Sequence, residues 1–230
     1  MWSRAAAAAA VLALADCRAQ PTQPHFPSAH RDVAPIVGGA FSTEDARDRV
    51  GEAEQVMALA GVKPGMSVAD VGAGEGYYTV RLAPVVGPKG RVLAIECDER
   101  LAARAATYLR AYRNVEVING DGREENGAPA DVIIVHAGFS HPYPHWLQSL
   151  RPGGRLLVPL TQRDREGAVL KITRKGKGFE AEAVQQIRIF PGQGRGTTAL
   201  DDRVADWWQR ASALAPLRFR GIEQGLPADG

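Results

Sequence analysis

Residues 70–78 read DVGAGEGYY, which places Gly72, Gly74 and Gly76 within five positions. Glycine loses more backbone freedom on folding than any other residue, so this density predicts positions that need a positive φ or a close approach. The preceding run MSVADV (66–71) reads as a buried strand. The following run YYTVRLAPVV (77–86), closed by GPKG, reads as a helix. A strand, a glycine turn and a helix in succession leave unpaired N–H groups and a positive dipole end beside the strand terminus. The ligand of such a loop carries a negative or strongly polar group.

The same alternation continues downstream. RVLAIE (91–96), VEVI (115–118), DVIIVH (131–136) and GRLLVPL (154–160) are apolar runs of strand length. Between them, DERLAARAATYLRAYR (98–113) is helical, with Leu101, Ala105, Tyr108 and Tyr112 on one face, and a short helix is expected around 146–149. AVLKITRK (168–175) and FEAEAVQQIRIF (179–190), joined by GKG, predict an antiparallel hairpin at the sheet edge. The expected fold is α/β and doubly wound: a mostly parallel seven-stranded sheet with an antiparallel edge hairpin.

Upstream, FSTEDARDRVGEAEQVMALAG (41–61) predicts one helix. Ser42 and Asp45 form its capping-box pattern, Ala46, Val50, Ala53, Met57 and Ala60 its apolar stripe, and Gly61 its stop. Gly51 falls within that helix, where glycine costs about 1 kcal/mol against alanine.

The spacing of the loop narrows the ligand. A dinucleotide fingerprint is G-x-G-x-x-G, and its third glycine would fall on Tyr77, a bulky residue where close helix packing wants a small one. DVGAGEG instead resembles the first motif of the class I S-adenosylmethionine-dependent methyltransferases, a Rossmann-like family in which an acidic residue precedes G-x-G-x-G. The resemblance implies S-adenosyl-L-methionine as cofactor, with Asp70, Gly72, Gly74 and Gly76 in its loop. Glu96 ends the second strand, where an acidic residue can accept ribose hydroxyls. In NGDGRE (119–124), Asp121 stands where that family usually holds the adenine amino group. A helix cap for Glu96 and a turn aspartate for Asp121 are the structural alternatives.

Within that family, NVEVINGDG, ADVIIVHAG, LRPGGRLLVPL and LKITRKGKGFEAEAVQQIRIFPG resemble protein-L-isoaspartate O-methyltransferase over roughly residues 62–192. The resemblance implies methyl transfer to a carboxylate oxygen of a protein or small molecule, isoaspartyl residues included. It departs upstream. The family carries a Ser/Thr-containing segment that grips the isoaspartyl carboxylate, and none is recognised in RDVAPIVGGAFSTEDARDRVGEAEQVM (31–57).

Transfer from a sulfonium is an in-line displacement in which the protein mainly aligns the partners, and a carboxylate acceptor needs no general base. No catalytic residue is therefore fixed by pattern. The candidates are His136, His141 and His145 in HAGFSHPYPHW (136–146), a base or substrate ligand set in an aromatic, proline-rich pocket wall. No metal site is expected, because the segment lacks a carboxylate or cysteine and its prolines break helical register. Tyr77 and Tyr78 are expected to pack, one of them against the cofactor pocket. Cys97 is expected to be a packed small residue.

The 230 residues suit one domain with tails, and a net charge of +2 gives no electrostatic case for nucleic acid as a partner. The two cysteines, Cys17 and Cys97, indicate no disulfide scaffold. Arg4 followed by AAAAAAVLALA (5–15) has the form of a signal-peptide core, and LADC (14–17) resembles a lipoprotein cleavage box apart from Asp16. That leader predicts the cell envelope or periplasm, with a membrane tether through a lipidated Cys17. Without export the protein is cytoplasmic. The expected organisation is a leader over 1–19, a proline-rich linker over 20–40, the methyltransferase domain over 41–198 and a helical tail over 199–230 that includes Trp207 and Trp208. Two other functions fit parts of this pattern: a non-catalytic envelope lipoprotein that retains the fold, and an NAD(P)-dependent oxidoreductase, against which Tyr77 argues.

Overall fold

The computed structural model describes residues 44–124, 129–161, 166–189, 192 and 218–219. The leader with Cys17, the linker, Ser42 of the capping pattern and the tail helix with Trp207 and Trp208 lie outside the described residues.

Two helices replace the single one expected at the start: α1 (Glu44–Arg49) and α2 (Glu52–Ala60). Gly51 separates them at φ 62°, a left-handed conformation that breaks a helix and that glycine adopts without a Cβ penalty. It is a break point and not a tolerated interior defect, and Val50 beside it is left exposed. Gly61 ends α2 at φ 63°, its N–H and that of Val62 closing on the carbonyls of Ala58 and Met57.

The chain then runs β1 (Ser67–Val71), α3 (Thr79–Val86), β2 (Arg91–Glu96), α4 (Glu99–Leu109), β3 (Val115–Asn119), β4 (Ala130–Val135), α5 (Pro144–Ser149), β5 (Leu150–Thr161), β6 (Glu166–Lys175), β7 (Gly178–Arg188) and β8 (Arg218–Phe219). The sheet order is β3-β2-β1-β4-β5-β6-β7-β8. The first five strands are parallel and each later neighbour is antiparallel. The seven expected strands are present, and the two-residue β8 extends the antiparallel edge.

Strand parity explains the layers. Val68, Val132 and Ile134 face Met57, Leu82 and Val86 of α2 and α3. Ala69, Val71, Ile133 and Val135 face the other way, into a core with Phe139, Trp146 and Leu147 of the α5 region. β1 is buried along its whole length, whereas β3, at the sheet edge, is only partly buried. Asp98 caps α4 by accepting the N–H groups of Arg100 and Leu101. The buried stripe of α4 is Ala102, Ala105 and Leu109, rotated from the expected one, so that alanines meet the sheet while Leu101 and Tyr108 stay partly exposed. β5 starts at Leu150 and not at Gly154, because the pairing with β4 shifts register across the RPGG segment.

β1, β2 and β3 progress to one side of the sheet, while β4 and β5 fall on the other. The order therefore reverses between β1 and β4, and the crevice outside the carboxyl ends of those two strands is where an open α/β sheet binds its ligand.

Candidate functional site

The glycine loop leaves β1 at that reversal. Gly72, Gly74 and Gly76 all have positive φ, at 77°, 56° and 91°. Each is a conformation that a side chain disfavours. The N–H groups of Gly72 and Ala73 bond to the Ile95 carbonyl, which folds the loop across the end of β2. A Cβ on Gly76 would lie 2.9 Å from Leu109 Cδ1, so this glycine lets α4 close in. A Cβ on Gly74 would meet nothing within 4 Å, so the space over the loop's centre is open among the described residues.

Carboxylates surround that opening. Register pairs Asp70 with Ala94 on β2 and with Ile134 on β4, so Asp70, Glu96 and His136 have the same parity and rise on the same face. Asp70 is wholly buried. Its Oδ2 accepts the Thr79 hydroxyl. Its Oδ1 stands 3.0 Å from His136 Nε2, yet the two atoms are out of line for a hydrogen bond and neither has another partner among the described residues. Glu96 is 6% exposed. Its Oε2 accepts the Gly74 N–H at 2.8 Å and its Oε1 the Asp98 N–H at 2.9 Å. A carboxylate offers about four acceptor positions, so Glu96 retains capacity for ligand hydroxyls. Its local capping role therefore leaves acceptor capacity in the same side chain.

Asp121 follows β3, whose Asn119 pairs with Glu96. It accepts the backbone N–H of Arg123 and that residue's guanidinium. These hydrogen bonds hold its carboxyl below the usual carboxylate range. The adjoining Gly122 carbonyl receives Trp146 Nε1 at 2.6 Å and His145 Nε2 at 3.0 Å, which ties this loop to α5.

The three histidines separate. His136 joins Asp70, its ring stacked on Tyr78 at 3.9 Å between centroids and 16° between planes. His145 is committed to Gly122, and burial pushes its imidazole below the ordinary value. His141 Nδ1 lies 3.0 Å from Ser140 Oγ, and its ring sits against Tyr143. Phe139, Tyr143 and Trp146 pack edge-to-face with centroids 5.1–5.5 Å apart, an aromatic cluster in the segment after β4. Among the described residues no group of three or more His, Cys, Asp or Glu could hold a metal ion. Cys97 is exposed and not packed, and partial burial of its thiol together with the neighbouring Glu96 charge raises its pKa, which disfavours the reactive thiolate.

A second set of residues has no signature in the sequence. Tyr77 OH donates to Asp48 Oδ1 at 2.8 Å, and Tyr78 OH to Glu52 Oε1 at 2.6 Å. Arg47 binds both oxygens of Glu52, and Arg81 both oxygens of Asp48. The guanidinium groups of Arg47 and Arg81 each lie 3.9 Å from the Tyr77 ring centroid. Burial opposes ionisation of Glu52, but hydrogen bonds from Arg47 and Tyr78 and the nearby charges of Arg47 and His136 outweigh it and hold its pKa low. The α1–α2 break is thereby bolted to the start of α3, directly behind the glycine loop. The only cue is charge on both sides of Gly51 and tyrosines after Gly76, which says nothing of pairing.

The family model for protein-L-isoaspartate(D-aspartate) O-methyltransferase matches residues 23–195. The chain belongs to this family. A protein-L-isoaspartate O-methyltransferase of Pyrobaculum neutrophilum is 37% identical over 135 residues, which is 56% of this chain and 64% of that protein. One from Ignicoccus hospitalis is 32% identical over 161 residues, 68% of this chain and 75% of that one. The chain thus matches a little under two thirds of the first relative's length and three quarters of the second's. Among solved structures, a protein-L-isoaspartate O-methyltransferase superposes with a TM-score of 0.62 at 26% identity, covering 70% of this chain and 52% of that one.

Proposed function

We propose that the chain is an S-adenosyl-L-methionine-dependent O-methyltransferase whose acceptor is a carboxylate, with the isoaspartyl side chain of a protein as first candidate. The observation that carries this reading is the glycine loop of three positive-φ glycines, open above Gly74 and set between the buried carboxylates of Asp70 and Glu96. Family membership supports it, and the relatives described above carry that activity in their names. A nicotinamide enzyme and a fold-only lipoprotein draw no support from those relatives.

In this reading the residues present fit the cofactor. The loop backbone approaches it closely, Glu96 accepts ribose hydroxyls, and Asp121 takes the adenine amino group beside Arg123. Asp70 Oδ1, without a hydrogen bond among the described residues, is turned to His136. S-adenosylmethionine supplies a methyl group on a positively charged sulfur. The chain's own work is to hold that end of the crevice and to exclude water with Phe139, Tyr143 and Trp146, so that an anionic acceptor arrives from the β4 side. The acceptor is already anionic, so no proton needs to be moved.

The test is methyl transfer from labelled S-adenosylmethionine to an isoaspartyl peptide and to its normal aspartyl twin. The reading expects a base-labile ester on the isoaspartyl peptide alone. Label on both peptides, or on neither while cofactor binds, contradicts the isoaspartyl assignment. We also read residues 1–19 as an export leader with Cys17 as the lipid-bearing residue, supported by Arg4, the alanine-rich core and LADC.

A further inference from the structure

We infer that His136 is the acceptor-side contact of this site, donating an N–H to the carboxylate that receives the methyl group. The inference rests on the carboxylate-methylation reading above and adds the residue that holds the substrate.

Position comes first. His136 is the residue immediately after β4, and its backbone N–H continues the ladder by bonding to the Val71 carbonyl at 2.9 Å. It therefore stands on the β4 side of the topological reversal, across from the glycine loop that leaves β1. The loops after β1, β2 and β3 carry the cofactor-type residues, so what lies on the β4 side faces the other reactant.

Orientation comes second. Tyr78 stacks on the ring, and the Tyr78 hydroxyl is fixed by Glu52, which Arg47 holds in turn. Gly72 supports the other end, since a Cβ there would lie 3.8 Å from His136 Cβ. Nε2 is buried and turned to Asp70 Oδ1. The side chain nevertheless keeps 15% of its surface exposed, so solvent reaches parts of it other than Nε2. With Nε2 turned to Asp70, Nδ1 is the ring nitrogen left to the acceptor, and the stacked Tyr78 ring fixes the direction in which it points.

Charge comes third. An acceptor carboxylate entering this crevice meets Asp70, Glu96 and Glu52, three acidic groups on the same side. Arg47 is spent on Glu52 and Arg123 on Asp121. His136 is placed to give the incoming anion a donor and to stand between it and Asp70. His141 and His145 are already engaged with Ser140 and Gly122, so they do not compete for the assignment.

The test uses two isosteric substitutions. In His136→Asn the amide nitrogen takes the place of Nδ1, and in His136→Gln that of Nε2. We measure kcat and KM for the isoaspartyl peptide with the full chain. Calorimetry gives peptide affinity for the protein saturated with S-adenosylhomocysteine, and S-adenosylmethionine affinity alone. The inference expects His136→Gln to raise the peptide KM and dissociation constant about tenfold or more, and His136→Asn to stay within a few-fold of the parent. Cofactor affinity should change less than about twofold in both. Equal loss of cofactor and peptide affinity in both variants would make His136 a packing residue and overturn the assignment. A fall in kcat on the order of 10²–10⁴ at unchanged peptide affinity would make it a base for a neutral acceptor, which also overturns it. An unmodified chain that binds cofactor and esterifies no isoaspartyl peptide would sink the isoaspartyl reading itself, and this assignment with it.

Discussion

Glu96 Oε2 accepts the backbone N–H of Gly74 at 2.8 Å, so the acidic end of β2 closes on the loop that leaves β1. One carboxylate shapes the loop and, in the proposed function, faces the ligand. Glu96→Ala leaves the N–H groups of Gly74 and Asp98 without their acceptor, at a cost of about 1–3 kcal/mol in stability, and removes charge-assisted bonds to a ribose. Glu96→Gln keeps one acceptor oxygen and should unfold at a temperature nearer the parent's. Both should weaken S-adenosylmethionine, the alanine variant by about tenfold or more. Thermal unfolding and calorimetry on the two variants check this, and unchanged affinity in both would reduce Glu96 to a cap.

Gly74 and Gly76 should respond differently to substitution. Gly74→Val meets open space, so its cost in stability is the strain at φ 56°, about 1–3 kcal/mol, while cofactor binding is blocked. Gly76→Ala combines strain at φ 91° with a contact of 2.9 Å on Leu109, so its larger effect should fall on the melting temperature. A Gly74→Val variant that binds S-adenosylmethionine like the parent would remove this loop from the site.

Acid should loosen the α1–α2 segment. The pKa of Glu52 is lowered in the folded chain, so its contribution is complete above its unfolded value, near 4.3, and is lost as pH falls through the folded value. The side chain is 38% exposed, and solvent screening keeps the ion-pair contribution below about 1 kcal/mol. Glu52→Gln should therefore lower the melting temperature slightly at neutral pH and shrink the drop between about pH 6 and about pH 3. A drop equal to the parent's would show that Glu52 gains nothing from Arg47 and Tyr78.

Much of the fold was legible because strand parity and glycine spacing are local. MSVADV, RVLAIE and DVIIVH each give one strand, and their order gives the parallel sheet. The diagonal approach of Asp70 and His136 was in principle readable as well, since it follows from the β1–β4 register, but register is a tertiary fact that periodicity does not supply. The break at Gly51 is hidden in the sequence because an apolar stripe runs through it; what breaks the helix is the left-handed turn that lets Arg47, Asp48 and Glu52 reach Tyr77, Tyr78 and Arg81. Those pairs join residues about 30 apart in sequence and leave no local trace. Cys97 looked like a packed residue because it adjoins a buried strand, yet it is the first position beyond that strand's end.

The leader should determine where the protein fractionates. Expressed from Met1 in a Gram-negative host, the chain should partition with the envelope, and a chain beginning at Gln20 should remain cytosolic. Cys17→Ser should release it from membranes. Identical cytosolic fractionation of all three would remove both the export signal and the lipid anchor.

In the proposed function, the crevice between β1 and β4 is built for S-adenosylmethionine. Calorimetry on the purified chain tests it without any need to know the acceptor. Titration with S-adenosylmethionine and with S-adenosylhomocysteine should each give saturable one-to-one heat, lost in Gly74→Val, while NAD gives none. Saturable heat from NAD, or no heat from either S-adenosyl compound with a chain that unfolds cooperatively, would contradict the account.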